Sequence, residues 1–139
     1  MDVTPVPGMI SSSINPFLVL MILVEPALPR RTEQEAWPRF WLRAVLGIAI
    51  AVVLAEMGKR YEVWPGHPSF PSGHNTFATA AAVALVCRRG RRWAPLALAA
   101  VLLMGTALVI GHYHTIADII GGIALAVTIT GGLFWLRAR

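Results

Sequence analysis

Apolar residues run through this chain in long blocks, not in strand-like alternation. Residues 40–57 carry one charge near each end, Arg43 and Glu56, while residues 93–110 and 119–136 carry none. Each block has 18 residues, which as a helix is about 27 Å long and close to the roughly 30 Å hydrocarbon thickness of a bilayer. The pattern predicts three membrane-spanning helices there. Two shorter blocks predict two more. Residues 17–24 are strongly apolar but lie between Pro16 and Glu25-Pro26, so residues 14–28 predict a short or kinked first span. Residues 77–87 reach about 16 residues if their helix begins at Ser72, which gives the third span. The expected fold is an all-α integral membrane helical bundle of about five transmembrane helices. It forms a single domain over residues 1–139, with residues 1–13 as a poorly ordered outer tail.

The first block is short enough for a secretory signal core, but no Lys or Arg precedes it and Glu25-Pro26-Ala27-Leu28-Pro29 fits a cleavage site badly. An uncleaved span is therefore expected, followed by a cytoplasmic turn over residues 28–38. A hydrophobic content of 56% and a mean hydropathy of +0.63 agree with a membrane protein. Trp37, Trp41, Trp64, Trp93 and Trp135 lie near span ends, where indoles prefer the interface.

A net charge of +5 could suggest a nucleic-acid partner, but the distribution of the cations argues otherwise. Of the 12 Lys and Arg residues, all except Lys59 and Arg60 fall on one side of a five-span chain. The positive-inside rule makes that side cytoplasmic. Anionic lipid headgroups, not nucleic acid, are then the expected partners of the basic loops. The expected location is the cell inner membrane, as a multi-pass protein. The loops joining spans two to three and four to five face the extracytoplasmic side. The single cysteine, Cys87, excludes an intramolecular disulfide.

Those two outer loops hold all four histidines, His67, His74, His112 and His114. In Pro71-Ser72-Gly73-His74, Ser72 is a natural N-cap and Gly73 lets a ligand approach the backbone. The free amides at a helix start favour an anion. An ordinary capped helix with an interfacial histidine would read the same way. In His114-Thr115-Ile116-Ala117-Asp118, a helix would put His114 and Asp118 on one face. A carboxylate on one ring nitrogen leaves the other aimed outward as a nucleophile or base. The plainer alternative is a structural His-Asp pair joining two helices. Lys59 and Arg60 end span two at the same surface. Cations and amides for phosphate oxygens, a nucleophile in line and an acid for the leaving group are what phosphoryl transfer needs.

Ser69-Phe70-Pro71-Ser72-Gly73-His74, followed by His114-x-x-x-Asp118, resembles the type 2 phosphatidic acid phosphatase superfamily of lipid phosphatases and phosphotransferases. The likeness covers roughly residues 40–136. The family has three motifs: Lys-x6-Arg-Pro, Pro-Ser-Gly-His and Ser-Arg-x5-His-x3-Asp. The second is intact here and the third keeps its His and Asp. The resemblance implies a membrane lipid phosphatase that hydrolyses a phosphate monoester or pyrophosphate of a lipid, of phosphatidate, phosphatidylglycerophosphate or polyprenyl type. His114 would form a phosphohistidine, Asp118 would orient it and His74 would protonate the leaving group. Lys59, Ser72 and the Gly73 amide would bind phosphate oxygens. The family's phosphatases work without a metal, so neither metal nor cofactor is expected.

The chain departs from the family at two cations. Ala107-Leu108 stands where the third motif has Ser-Arg, and Gly66 stands where the first has Arg. Arg60 could stand in for them, as could His67 and His112 when protonated. The missing third-motif arginine also resembles the sphingolipid-synthase branch. A lipid phosphotransferase and a catalytically weak or non-enzymatic membrane protein of the same fold are therefore alternatives. A metal held by His67, His112, His114 and Asp118 is a further one. On a helix His112 and His114 would point about 200° apart, so it would need non-helical backbone there.

Overall fold

The computed structural model describes residues 6–25 and 37–136. Its helices are α1 (Val6–Val24), α2 (Trp37–Arg60), α3 (Gly73–Arg89), α4 (Ala94–Ile110) and α5 (Ile116–Trp135), with a 3-10 turn at Arg91–Trp93 before α4. Among the described residues there is no strand. The expected all-α bundle is what forms. Four of the helical segments, Val6–Val24, Pro38–Arg60, Arg91–Ile110 and Ile116–Trp135, are long and apolar enough to cross a membrane.

Helix α3 is the exception because the other four helices pack against it. It has 17 residues, and its buried positions are mostly small: Ala78, Ala80, Ala81, Ala82 and Ala84, with Asn75, Thr76 and Thr79. A helix enclosed by protein need not offer lipid a continuous apolar surface, and small side chains let neighbouring backbones come close. The outer helices do the opposite. Phe17, Leu20, Leu42, Val53, Leu98, Leu102, Ile120 and Val127 are exposed. In a bilayer those side chains meet acyl chains instead of water. Phe40, Met104, Leu108, Leu18 and Ile22 fill the interior around α3.

The first helix differs from the expected one. It begins at Val6, so residues 6–13, expected in an outer tail, are helical, and Pro16 sits inside the helix. The hydroxyls of Ser12 and Ser13 both donate to the Met9 carbonyl, at 3.1 and 2.7 Å. Serines that bond to their own helix cost little in an apolar setting, which is why a segment read as polar joins the span. Residues 1–5, the remainder of that expected tail, lie outside the described residues, as do residues 28–36 of the expected cytoplasmic turn.

The last turn of α3 gives a second difference. Arg88 and Arg89, read from sequence as loop cations facing lipid headgroups, are buried at 4% and 9% exposure. Both meet Glu25 at the end of α1: Arg88 Nε lies 3.1 Å and Arg89 Nε 3.3 Å from the same carboxylate oxygen. Arg89 Nη2 also donates to the Glu25 carbonyl at 2.9 Å. The Arg88 guanidinium sits 5.0 Å from the centroid of the Phe40 ring. Two arginines on one desolvated carboxylate tie α1 to α3. Arg91 and Arg92 remain exposed and keep the character expected of loop cations.

Candidate active site

Helices α2 and α4 both end at the end of the bundle where α3 and α5 begin, and both end in the same way. Val63 N–H donates to the Gly58 carbonyl and Glu62 N–H to that of Lys59, at 3.0 and 3.1 Å. Tyr113 N–H donates to Leu108 and His112 N–H to Val109, both at 3.0 Å. These are two Schellman turns, whose left-handed residue is usually glycine. Here Glu62 and His112 occupy that position, with φ of 46° and 58°. The turn at His112 also breaks the helix before His114, so the two histidines are not on one helix as the 200° argument supposed.

From those turns the chain enters α3 and α5 through two capped starts. Ser72 caps α3, its Oγ accepting from Asn75 N–H at 3.4 Å. Thr115 caps α5: its Oγ1 accepts from Asp118 N–H at 3.3 Å, and Asp118 Oδ2 accepts from Thr115 N–H at 2.8 Å. The sequence reading missed this reciprocal capping box, for which Thr-x-x-Asp before an apolar run is the signal. It changes how His114 meets Asp118. His114 lies before the helix, not on it, and the capping box folds the Asp118 carboxylate back to within 3.5 Å of His114 Nδ1. That separation is longer than a hydrogen bond. Such contacts commonly tighten only when a ligand is bound.

Asp118 is 1% exposed, and the His114 side chain is largely buried. Burial pushes the His114 pKa below its ordinary value of 6.5. The Asp118 carboxylate opposes that shift, and the nearby Lys59 and His74 add to it. The neutral imidazole is thus favoured near pH 7. Its Nδ1 faces Asp118, which leaves Nε2 as the nitrogen free to react. Lys59 and His74 therefore lie near enough to His114 to influence its charge.

The other expected residues take distinct positions. His74, in the first turn of α3, is exposed. Gly73 is buried under a Lys59–Glu56 ion pair of 2.7 Å. A Cβ on Gly73 would lie 2.6 Å from Glu56 Oε1 and 3.2 Å from Lys59 Nζ, so the glycine lets this cation lie over the helix start. Glu56 was not anticipated as a site residue. Ser72 is fully buried; its N–H donates to the Asp118 carbonyl at 3.0 Å, and its own carbonyl accepts from the Thr76 hydroxyl at 2.7 Å. The sequence reading missed this anchoring role. Arg60 is exposed at the end of α2.

His67 and His112 line a cleft of about 470 Å³ together with His114, Tyr113, Thr115 and Asp118. Trp64 packs on Phe70, with ring centroids 5.0 Å apart, and its ring meets His67 edge-on at 6.1 Å. Among the described residues, no three His, Cys, Asp or Glu side chains come together as metal ligands. The positions where the family's arginines would stand hold no cation: Ala107 and Leu108 face the core at 4% and 3% exposure, and Gly66 is an exposed turn residue with φ of 80°.

A family model described as the PAP2 superfamily matches residues 53–139, a stretch that contains every residue of this site. No curated protein and no solved structure matches the chain.

Proposed function

Because the chain belongs to the PAP2 superfamily, we propose that it is a membrane lipid phosphatase working through a phosphohistidine at His114. Membership supports phosphatase-type activity in general. The observation that carries the finer reading is the His114–Asp118 pair, with Lys59 and His74 close enough to act on it.

In this mechanism the substrate's phosphate lies against the start of α3. Lys59 and the Gly73 amide meet its oxygens, and the helix dipole favours the charge. His114 Nε2 attacks phosphorus as the bond to the leaving oxygen breaks, and a protonated His74 gives its proton to that oxygen. Asp118 stabilises the imidazolium that forms on His114. In the second half, neutral His74 takes a proton from water as the water attacks phosphorus. The P–N bond breaks, inorganic phosphate leaves and His114 returns to its starting state. No metal takes part in either half.

The uneven distribution of Lys and Arg supports an extracytoplasmic site in a bacterial-type inner membrane. His67 and His112, at the mouth of the cleft, would supplement Lys59 and Arg60 when protonated. Ser72 contributes by capping and anchoring the cradle. One observation favours a second reading. Leu108 packs in the core where the family has an arginine, and a cradle short of that charge suits a phosphotransferase that uses an alcohol in place of water, or a slow enzyme.

Phosphate release from a panel of lipid phosphates, measured in detergent with chelator present and beside His114→Ala, tests the proposal. Release that persists in chelator and disappears in the variant supports it. Release that survives in His114→Ala, or that requires a metal, sinks it. Phosphate moving to an added alcohol without release to water selects the phosphotransferase.

A further inference from the structure

A histidine acid and a histidine nucleophile at the starts of two separate helices work only if the helices hold a fixed register. Three features set that register between α3 and α5. Ser72 N–H donates to the Asp118 carbonyl at 3.0 Å. Gly122 lets α5 come close, because a Cβ there would lie 2.9 Å from both the Ser72 carbonyl oxygen and Thr76 Oγ1. The third feature is a side chain: Asn75 Nδ2 donates to the Ile119 carbonyl at 3.3 Å.

Asn75 follows His74 directly, yet the two face opposite ways: His74 is exposed and Asn75 fully buried. The amide thus joins the turn carrying the acid to the residue next to Asp118. Its Oδ1 is buried and has no protein partner, and it faces α4 at Gly105, whose added Cβ would lie 3.7 Å away. A half-satisfied amide inside a membrane bundle is a poor choice for stability alone, since an apolar side chain avoids the desolvation cost. Its geometry explains it better. The Ser72–Asp118 bond fixes one point between the starts of α3 and α5, and the Asn75 bond fixes a second one turn along, which limits rotation of the first turn of α3 about the first point. A pivot of about 10° moves a group about 6 Å away by about 1 Å, a misplacement that can cost about a hundredfold in rate. Asp118 is held by its capping box with Thr115, and the His114 N–H by the Leu108 carbonyl, neither of which involves Asn75.

We propose that Asn75 is a positioning residue that holds His74 in register with His114, so that the leaving oxygen receives its proton as the P–O bond breaks. This rests on the phosphatase reading above. It predicts a signature that loss of folding does not produce. An alkoxide leaving group needs the proton, whereas 4-nitrophenolate is stable without it. Displacing His74 should therefore slow the first and spare the second.

The test compares kcat/KM for a long-chain alkyl phosphate and for 4-nitrophenyl phosphate in wild type, Asn75→Ala and Asn75→Leu. Taking the ratio of the two substrates within one preparation cancels any change in folded fraction, and the leucine covers the case in which alanine leaves a damaging cavity. The expected result is a loss of about tenfold or more on the alkyl ester, with the nitrophenyl ester within about twofold of wild type. His74→Ala should show the same selectivity, more strongly. If both variants keep the wild-type ratio, whether fully active or equally slowed on both esters, the positioning role is overturned. A wild-type protein that turns over neither ester overturns the phosphatase reading and this inference with it.

Discussion

Helix α3 has buried polar side chains at both ends, and the two ends use them differently. At the last turn, Arg88 and Arg89 close on Glu25, and Arg88 also stacks on Phe40. At the first turn, Ser72 and Asn75 reach across to α5, His74 stays exposed, and the His114–Asp118 pair stops at 3.5 Å. The arginine end sets two cations on one carboxylate inside protein, an arrangement that holds helices together. The histidine end keeps an exposed histidine, a loosely held pair and an adjoining cleft, an arrangement suited to a third, anionic component. Both ends put polar groups into an apolar bundle, and the contrast lies in whether protein alone completes them.

That contrast can be broken most sharply at His114. His114→Ala should lower phosphate release by at least about a thousandfold while the thermal unfolding midpoint in detergent changes little. A large stability loss with residual activity would make the pair structural, like the one at the other end. Glu25→Ala is the reciprocal case. Removing one partner of a buried ion cluster should cost about 3–5 kcal/mol of stability and leave kcat per folded molecule near wild type. Unfolding monitored by circular dichroism, beside activity, would show it; unchanged stability would mean that the cluster does not hold α1 in place.

The pH dependence sharpens the comparison further. With the His114 pKa held below 6.5 by burial, the unfolded chain binds the extra proton first as pH falls. The stability that the neutral imidazole contributes is therefore complete above about pH 6.5 and is lost as pH falls through the lower folded value. The acid limb of kcat/KM should likewise lie below the ordinary histidine range. A limb at or above 6.5 would assign it to another group. The smallest effect is expected at Glu56, whose carboxylate pairs with Lys59 and, in the proposed mechanism, would compete with the substrate for it. Glu56→Gln should lower KM for a lipid phosphate by about two- to fivefold, as is typical of an exposed pair. A raised KM would give the carboxylate a supporting role instead.

Much of this was legible in the chain. The apolar blocks at 40–57, 93–110 and 119–136 became α2, α4 and α5 with ends shifted by a few residues, because an 18-residue apolar run has few alternatives to a spanning helix. Ser72 was recognisable as a cap. The two histidine segments came together because topology puts the starts of α3 and α5 at the same surface. The sequence reading was weakest where polar residues bond within their own helix or to a distant one. Ser12 and Ser13 looked like tail, and Arg88 and Arg89 looked like loop. Glu56 and Asn75 carried no local mark at all, since their significance depends on Gly73 and Ile119, which lie elsewhere in the chain.

The sequence by itself therefore determined most of the helices, their order along the chain and the residue types at the site, because hydropathy and capping are local properties. Only the tertiary structure decided which buried charges neutralise one another, how the Thr115 capping box delivers Asp118 to His114, and how Asn75 ties α3 to α5. Those outcomes depend on distances between residues far apart in the chain, which no local pattern encodes.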